Sequence, residues 1–225
     1  MKIELIHPFW TAYPNAVDLF RGNPAFGTWV SRIGRIAEKI EKDPSSIPFT
    51  CDKTDANDIA NRFRGDSLEG LGEILFKLQG TNPLIGVVDY IPLWTNDFGV
   101  DGKGIGLNGK LMTFQFKFRG EFDKTLTGEK DHLDNFPNQS LELGVDENDD
   151  FNMLIVTTGK GVFYKDMSVK WRNKVRYLAA NESWGCFKKQ KYQAQDPTNI
   201  FSLKSLLDGN FPFWNTAVKL IEGTR

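Results

Sequence analysis

Two adjacent residues, Asn108 and Gly109, constrain the fold of this chain more than any other feature, because they mark a tight chain reversal. Asn and Gly tolerate the positive φ angles of a type I′ turn, and this pair between strand-like segments is a strong short-range signal for a β-hairpin. The flanking segments predict strands over residues 99–107 and 110–119. The middle of the chain is therefore predicted to be an antiparallel β-ribbon.

The second strand of this ribbon has one apolar face and one mixed face, since side chains alternate across a strand. The apolar face carries Met112, Phe114, Phe116 and Phe118. Each ring buried against a helix contributes roughly 1.5–3 kcal/mol. The mixed face carries Leu111, Thr113, Gln115, Lys117 and Arg119. A half-exposed hairpin with its polar side outward is the simpler explanation of this alternation alone. The chain reversal also brings Asp101 towards Gln115 and Lys117, which predicts that an acid, an amide and a cation converge there.

Three helices are predicted before the ribbon. The first begins at residues 23–24, where Asn caps and Pro occupies the first helical position. A second, shorter helix begins near residues 54–55 and ends before Gly65. Asp66 or Ser67 is predicted to cap the third, whose buried stripe is Leu68, Leu71, Ile74, Leu75 and Leu78.

Strands and helices alternate in the rest of the chain. Residues 85–94 and the continuous apolar run 152–158 predict strands, the second of them central in a sheet. A helix is predicted over 165–180, followed by a strand within 185–194 and closing helices within 199–209 and 212–223. This order predicts an α/β fold with a central mixed sheet flanked by helices.

Composition excludes several classes of protein and of site. Only two cysteines, Cys51 and Cys186, occur in 225 residues, which argues against a disulfide scaffold or a thiolate zinc site and favours the reducing cytoplasm. The two histidines, His7 and His132, leave oxygen as the expected ligand of any metal. We expect no membrane association, because no apolar stretch is long enough to span a bilayer and the N-terminus does not resemble a signal peptide.

The charge is balanced overall but uneven locally. The net charge of −1 and the pI of about 6.2 are too low for a general nucleic-acid coat protein. Residues 142–150 are acidic, whereas 165–177 and 188–191 are basic. A basic helix over 165–180 is suited to contact a DNA backbone, although a solvated helix face explains it as well.

Four segments together resemble a known family. Asp101 followed by Gln115-Phe116-Lys117 resembles the PD-(D/E)xK nuclease signature in the QxK variant of Mrr-type restriction endonuclease domains. "DFGVDG" resembles that group's Asp-x-Gly-x-Asp approach, "SLEGLGEILFKL" its acidic first core helix, and "IVTTGKGVF" the strand and Thr-Thr step after the lysine. The resemblance covers roughly residues 64–180. One departure is that Gln115 replaces the usual second acidic residue.

The resemblance implies a restriction-endonuclease-like core over 61–225, with residues 1–60 as an N-terminal helical extension packed on it. It implies a metal-dependent DNA endonuclease that leaves a 5′-phosphate and serves restriction, repair or phage DNA processing. Such domains are often fused to helicases or recognition modules, so a helicase-type protein is an expected context. A second copy of the chain, forming a homodimer, is another possible partner.

The resemblance also assigns roles to residues. Asp101 is the main ligand of Mg²⁺, for which Mn²⁺ can substitute, and Glu69 is the carboxylate from the helix. Gln115 offers its side-chain oxygen and Phe116 its backbone carbonyl. Lys117 holds the attacking water or neutralises charge in the transition state.

Several assignments remain open. Glu73, one helical turn on, is the alternative to Glu69, which would otherwise complete a capping box; Asp97 is the alternative to Asp101. The expected DNA contacts are Lys160, Lys165, Lys170, Arg172, Lys174 and Arg119. The six tryptophans are expected in the core rather than as base-stacking platforms.

Two rival functions remain. A nuclease-fold module that binds DNA or a protein without cutting is favoured by Gln115 and by the near-neutral charge, and disfavoured by retention of Asp101 and Lys117. A ribonuclease, or a nuclease for structured junctions, is a weaker alternative. The sequence contains no motif for base readout, so it does not predict specificity.

Overall fold

A mixed six-stranded β-sheet organises the fold. The computed structural model describes residues 3–94, 99–122, 124–127, 133, 135–160, 168, 170–171, 174–180 and 200–224. The strands, in both chain and sheet order, are β1 Val87–Pro92, β2 Gly102–Gly106, β3 Leu111–Lys117, β4 Met153–Thr157, β5 Val175–Ala179 and β6 Ile200–Ser202. β2 runs antiparallel to β1 and β3, whereas β3 to β6 are parallel. The predicted α/β class with a mixed sheet between helices is confirmed.

The helices lie before, within and after the sheet in sequence. They are α1 Phe9–Ala12, α2 Val17–Phe20, α3 Phe26–Lys42, α4 Ala56–Gln79, α5 Asn135–Glu142, α6 Leu203–Leu207 and α7 Phe211–Gly223. A 3₁₀ turn, Pro44–Ser46, follows α3. None of the helices in the described part of the chain is both long and apolar enough to cross a membrane.

The predicted hairpin is confirmed, but its turn differs from the prediction. Gly109 N donates to Gly106 O at 2.8 Å and Gly106 N donates to Lys110 O at 2.7 Å, so three residues form the loop. Gly109 has φ +78°, whereas Asn108 is not among the described residues with positive φ. The type I′ prediction is therefore wrong. Asn108 acts through its side chain, whose Oδ1 accepts from Lys110 N at 3.0 Å.

The two helices predicted over 54–78 are one helix, α4. Asp55 caps it by accepting hydrogen bonds from Asn57 N at 2.9 Å and Asp58 N at 3.2 Å. Asp66 and Ser67 lie inside the helix, so the prediction that either caps a helix is wrong. The hydroxyl of Ser67 donates to a carbonyl one turn earlier, which satisfies it without ending the helix. The boundary proposed between residues 60 and 61 also falls within α4.

The first long helix begins slightly later than predicted. Asn23 adopts φ +48°, so it cannot be the cap of a helix beginning at Pro24. Ala25 is the residue before α3. The N-terminal residues pack against α4 and α7, with Phe20 between Trp29 and Trp214 in one continuous core.

The apolar face of β3 packs against α4, as predicted. Phe76 lies 4.7 Å from Phe114, centroid to centroid. One helical turn earlier, Gly72 faces Phe116 so closely that a Cβ there would lie 2.1 Å from its ring. Moving back one turn along α4, from Phe76 to Gly72, therefore moves the contact forward by two residues along β3, from Phe114 to Phe116. A further turn back brings Glu69 to the carboxyl end of β3.

The opposite face of β3 is covered rather than exposed. Thr113 and Gln115 are both buried, and Thr113 Oγ1 donates to Ser140 Oγ of α5 at 2.8 Å. A second core, which includes Phe136, lies on this side of the sheet. The simpler explanation, a hairpin with its polar side outward, is therefore wrong for these two positions.

The helix predicted over 165–180 is wrong where the structure describes its end. Residues 175–179 form β5, parallel to β4, with Met153 opposite Val175. The β-branched and aromatic side chains Val175 and Tyr177 alternate with Arg176, which is a strand pattern. Most of residues 165–173 and all of the strand predicted within 185–194 lie outside the described residues. The central strand β4 and the two closing helices are confirmed, although residues 200–202 form a strand before α6.

We predict that Gly72→Ala lowers the free energy of unfolding by about 1–3 kcal/mol, because the added methyl group collides with Phe116 and forces α4 and β3 apart. Gly34→Ala, in α3, is the matched control, since no atom lies within 4 Å of its added Cβ. That control should gain about 0.5–1 kcal/mol of helix stability. Urea denaturation measures both, and equal stabilisation by the two substitutions would contradict the close approach.

Candidate active site

A pocket of about 450 Å³ opens at the end of the sheet where β2 begins and β3 ends. Three parts of the chain form its walls: the N-terminal segment with the loop after the 3₁₀ turn, the first half of α4, and the residues just after β1 and before β2. The lining residues are Pro8, Ala12, Thr50, Cys51, Asp52, Lys53, Arg62, Asp66, Glu69, Leu93, Trp94 and Asp101. Two predicted site residues, Asp101 and Glu69, therefore share one pocket.

Asp101 is held at the edge of the sheet by its backbone and its side chain. Its N–H donates to Phe114 O at 2.8 Å, and its Oδ2 accepts from Phe116 N at 2.6 Å. The carboxylate thus occupies the place of a backbone carbonyl in the ladder between β2 and β3. A charged acceptor makes this hydrogen bond stronger than a neutral one. These two hydrogen bonds fix the Asp101 carboxylate beside Phe116, the residue between Gln115 and Lys117 in β3.

Glu69 is oriented by His7, a residue that the sequence analysis did not assign to the site. His7 Nε2 lies 2.9 Å from Glu69 Oε2, and the imidazole is completely buried while the carboxylate is 17% exposed. Phe9 N donates to His7 Nδ1 at 3.1 Å, so Nδ1 carries no proton. Nε2 therefore carries the imidazole proton and donates a hydrogen bond to Glu69 Oε2. The two partners are 62 positions apart in the sequence, so no local pattern indicated this pair.

Asp66 is the second carboxylate of α4 that lines the pocket, and it is mostly buried. Its side chain is 6% exposed, and Arg62 Nε lies 2.9 Å from Oδ1 and donates to Oδ2 at 3.1 Å. Burial, followed by repulsion from Glu69, raises the pKa of Asp66 to about 6 in spite of Arg62. The α4 wall of the pocket therefore carries concentrated negative charge.

Gln115 and Lys117 do not line the pocket. Strand alternation directs both towards the α5 face of the sheet, whereas Glu69 comes from the α4 face. Gln115 Nε2 donates to Gly99 O at 2.8 Å, and its buried Oε1 has no hydrogen-bond partner in the described structure. Lys117 is half-buried at the carboxyl end of β3. The Asp101 carboxylate lies at the edge of the sheet between these two faces, because it accepts a hydrogen bond from the backbone N–H of Phe116, the residue between Gln115 and Lys117.

Glu73, the alternative acid of α4, is a structural anchor. Its fully buried carboxylate accepts hydrogen bonds from Ile6 N at 2.8 Å, His7 N at 3.1 Å and Trp10 Nε1 at 2.6 Å. Lys77 Nζ donates a fourth at 2.7 Å. Glu73 does not line the pocket, so the structure favours Glu69. The other alternative, Asp97, lies outside the described residues.

The predicted DNA contacts separate into two groups. Arg119 and Lys160 follow β3 and β4, at the same end of the sheet as Asp101. Burial lowers the pKa of Arg119, whose Nη1 donates to a neighbouring carbonyl at 2.7 Å. Lys170 and Lys174 lie at the opposite end, where they pair with the acidic run 146–150.

Two ion pairs connect part of the acidic run 142–150 with part of the basic run 165–177. Lys170 Nζ lies 2.9 Å from Glu147 and Lys174 Nζ lies 2.9 Å from Asp150. Lys170 also lies over the Trp171 ring, 4.4 Å from its centroid. The two lysines therefore neutralise neighbouring acids, far from the pocket. Lys165 and Arg172 lie outside the described residues.

The donors at the pocket are oxygen atoms, the type that a hard divalent cation prefers. Among the described residues, no group of three or more His, Cys, Asp or Glu side chains is arranged to hold a metal ion. The unpaired Gln115 Oε1 lies on the α5 side of the sheet and does not line the pocket, so the candidate ligands there are the carboxylates of Asp101 and Glu69. This donor set fits Mg²⁺, with water expected to fill the remaining positions.

Comparisons with protein-family models, curated proteins and solved structures found no match to this chain.

We predict that Asp66→Asn stabilises the protein at neutral pH and has little effect at acidic pH. The folded protein binds this proton more tightly than the unfolded chain, so the carboxyl contributes most below about pH 4 and its contribution is lost as pH rises through about 6. The gain above pH 7 should approach about 2–3 kcal/mol. Urea denaturation between pH 4 and 8 measures it, with Glu38→Gln on the exposed face of α3 as control. A difference between wild type and variant that does not change with pH would contradict the buried carboxyl.

Proposed function

We propose that this chain is a metal-dependent nuclease with a restriction-endonuclease-like core, which hydrolyses phosphodiester bonds of DNA at the pocket lined by Asp101 and Glu69. The main support is the hydrogen bond from Phe116 N to Asp101 Oδ2, 2.6 Å long across 15 residues. It joins the two halves of the nuclease-like signature, the aspartate and the Gln-Phe-Lys triplet.

The relative order of the elements gives further support. The acidic helix α4, the aspartate before β2, the Gln-x-Lys strand β3 and the Thr-Thr strand β4 follow one another in the order of the resemblance. β3 lies between β2 and β4, and α4 packs on its aromatic face. The four segments therefore contribute to one structural unit, as an active site built from them requires.

In this proposal, Asp101 and Glu69 hold Mg²⁺ or Mn²⁺, and the carbonyl of Phe116 contributes a neutral oxygen. Gln115, whose side chain faces α5, supports the strand through its hydrogen bond to Gly99. The bound ion would activate a water molecule and neutralise charge on the phosphate. His7 orients the carboxylate of Glu69. Lys117, at the carboxyl end of β3, supplies a positive charge for the phosphate oxygens. Lys160, which follows β4 at the same end of the sheet, contacts the neighbouring DNA phosphates.

A DNA-binding module without cleavage is the second candidate. Two observations favour it: Gln115 stands where the signature usually has an acid, and the described residues contain no cluster of three His, Cys, Asp or Glu ligands. A single neutral amide binds a divalent cation more weakly than a carboxylate does. Retention of both Asp101 and Lys117 favours the nuclease.

We predict that Asp101→Asn and Lys117→Ala each reduce plasmid nicking in Mg²⁺ or Mn²⁺ by about 100-fold or more, since each removes charge that acts on the transition state. Asn retains an oxygen that can accept from Phe116 N, so the fold should persist, as circular dichroism and urea denaturation would show. Lys174→Ala, which removes a lysine at the opposite end of the sheet, is the control and should cut normally.

Three results would count against the nuclease. Equal nicking by wild type and Lys117→Ala would remove this lysine from the mechanism. Unfolding of Asp101→Asn would make Asp101 structural. Absence of nicking by wild type, with DNA still retained in a gel shift, would support the binding module.

A further inference from the structure

Trp94 differs from the other tryptophans that the structure describes. It is 44% exposed and lines the pocket beside Asp101 and Glu69. Trp10, Trp29, Trp171 and Trp214 are buried, as predicted for core residues, and Trp184 lies outside the described residues. A large aromatic ring exposed at a site with candidate metal ligands is a candidate surface for a planar ligand.

The wall around Trp94 combines apolar surface with a cation. Leu93 follows β1 next to the ring, and Pro8 and Ala12 line the pocket from the N-terminal segment. Lys53 lines it from the loop after the 3₁₀ turn and forms no ion pair with any residue of the described structure. Arg62, the other lining cation, is paired with Asp66. The pocket thus offers a ring for stacking and an ammonium group for a phosphate.

The shape of the pocket limits what can enter. Its volume of about 450 Å³ is that of a small-ligand site, and the N-terminal segment closes one side. In a continuous duplex the bases are stacked within the helix, and a base reaches such a pocket only when it leaves the stack. That cost is lowest when the strand is already unpaired.

We infer that Trp94 stacks an unpaired nucleobase in this pocket, so that the preferred substrate is single-stranded or frayed where it is cleaved. This inference rests on the proposed function and adds the substrate class. Stacking on an aromatic ring tolerates any base, because each base has a π-face. The absence of a base-readout motif in the sequence agrees with this tolerance.

The pocket's charge adds a condition to binding. Its four carboxylates, Asp52, Asp66, Glu69 and Asp101, outnumber Lys53 and Arg62. A phosphate entering without a divalent cation meets net repulsion. Binding of a single strand should therefore be tighter with Ca²⁺, a divalent cation expected to support binding without cleavage, than with EDTA.

The test measures binding of a fluorescein-labelled oligothymidylate, and of a blunt duplex of the same length, to the full chain in Ca²⁺. Wild type should bind the single strand at least about ten-fold more tightly than the duplex. Trp94→Ala should weaken single-strand binding by about 5- to 100-fold, the loss of one stacked base, and Trp94→Phe should retain most of it. Leu107→Ala removes an exposed apolar side chain at the hairpin loop, at the other end of the sheet, and should bind as wild type does.

A second readout locates the ligand and does not depend on Trp94. Cys51 lines the pocket and is half-buried. In a Cys186→Ser background it is the only thiol of the chain, since the sequence has two cysteines. The oligothymidylate should slow alkylation of Cys51 by iodoacetamide, whereas the blunt duplex should not.

The outcomes separate the inference from the proposed function. If wild type nicks plasmids but binds duplex as tightly as single strand, and Trp94→Ala binds normally, the inference is wrong and the nuclease stands. If wild type binds neither nucleic acid and cuts neither, both fall together. If both Trp94 variants lose binding while Cys51 stays unprotected in wild type, Trp94 is structural and the inference is again wrong.

Discussion

The contact between Gly72 and Phe116 fixes the relation between α4 and β3, on which the rest of the site depends. A helix advances 1.5 Å per residue and a strand about 3.3 Å, so one helical turn matches about two strand residues. Because α4 approaches β3 at Gly72, Glu69 reaches the end of the strand where Asp101 binds the Phe116 amide. A side chain at position 72 would separate these layers and move the two carboxylates apart.

Local patterns predicted the elements whose own residues carry the information. The Asn-Gly reversal, the aromatic alternation of β3 and the apolar run of β4 each identify a strand without reference to distant residues. The same patterns misplaced β5, which was assigned to a helix over 165–180. The acids that pair with Lys170 and Lys174, Glu147 and Asp150, lie in another segment. The patterns also divided α4 at Gly65, where tertiary packing keeps the helix continuous.

The candidate site was predictable only in part, for the same reason. The Asn-Gly reversal predicted a ribbon, and the ribbon brought Asp101 to the backbone amide of Phe116, between Gln115 and Lys117. Whether Glu69 or Glu73 serves the pocket depends on the N-terminal segment, which binds Glu73 through Ile6, His7 and Trp10. No periodicity within α4 distinguishes two acids one turn apart on the same face.

Residues 6–10 are synthesised before they can fold, because they are anchored on Glu73, which comes later in the chain. A ribosome produces these residues before α4, and their hydrogen-bond acceptor follows more than sixty residues later. Until then His7 and Trp10 remain exposed, because contacts distant in sequence must wait for the intervening chain. Residues 6–10 therefore acquire their native surroundings only after α4 has been made, and the orientation of Glu69 by His7 is completed only when they dock.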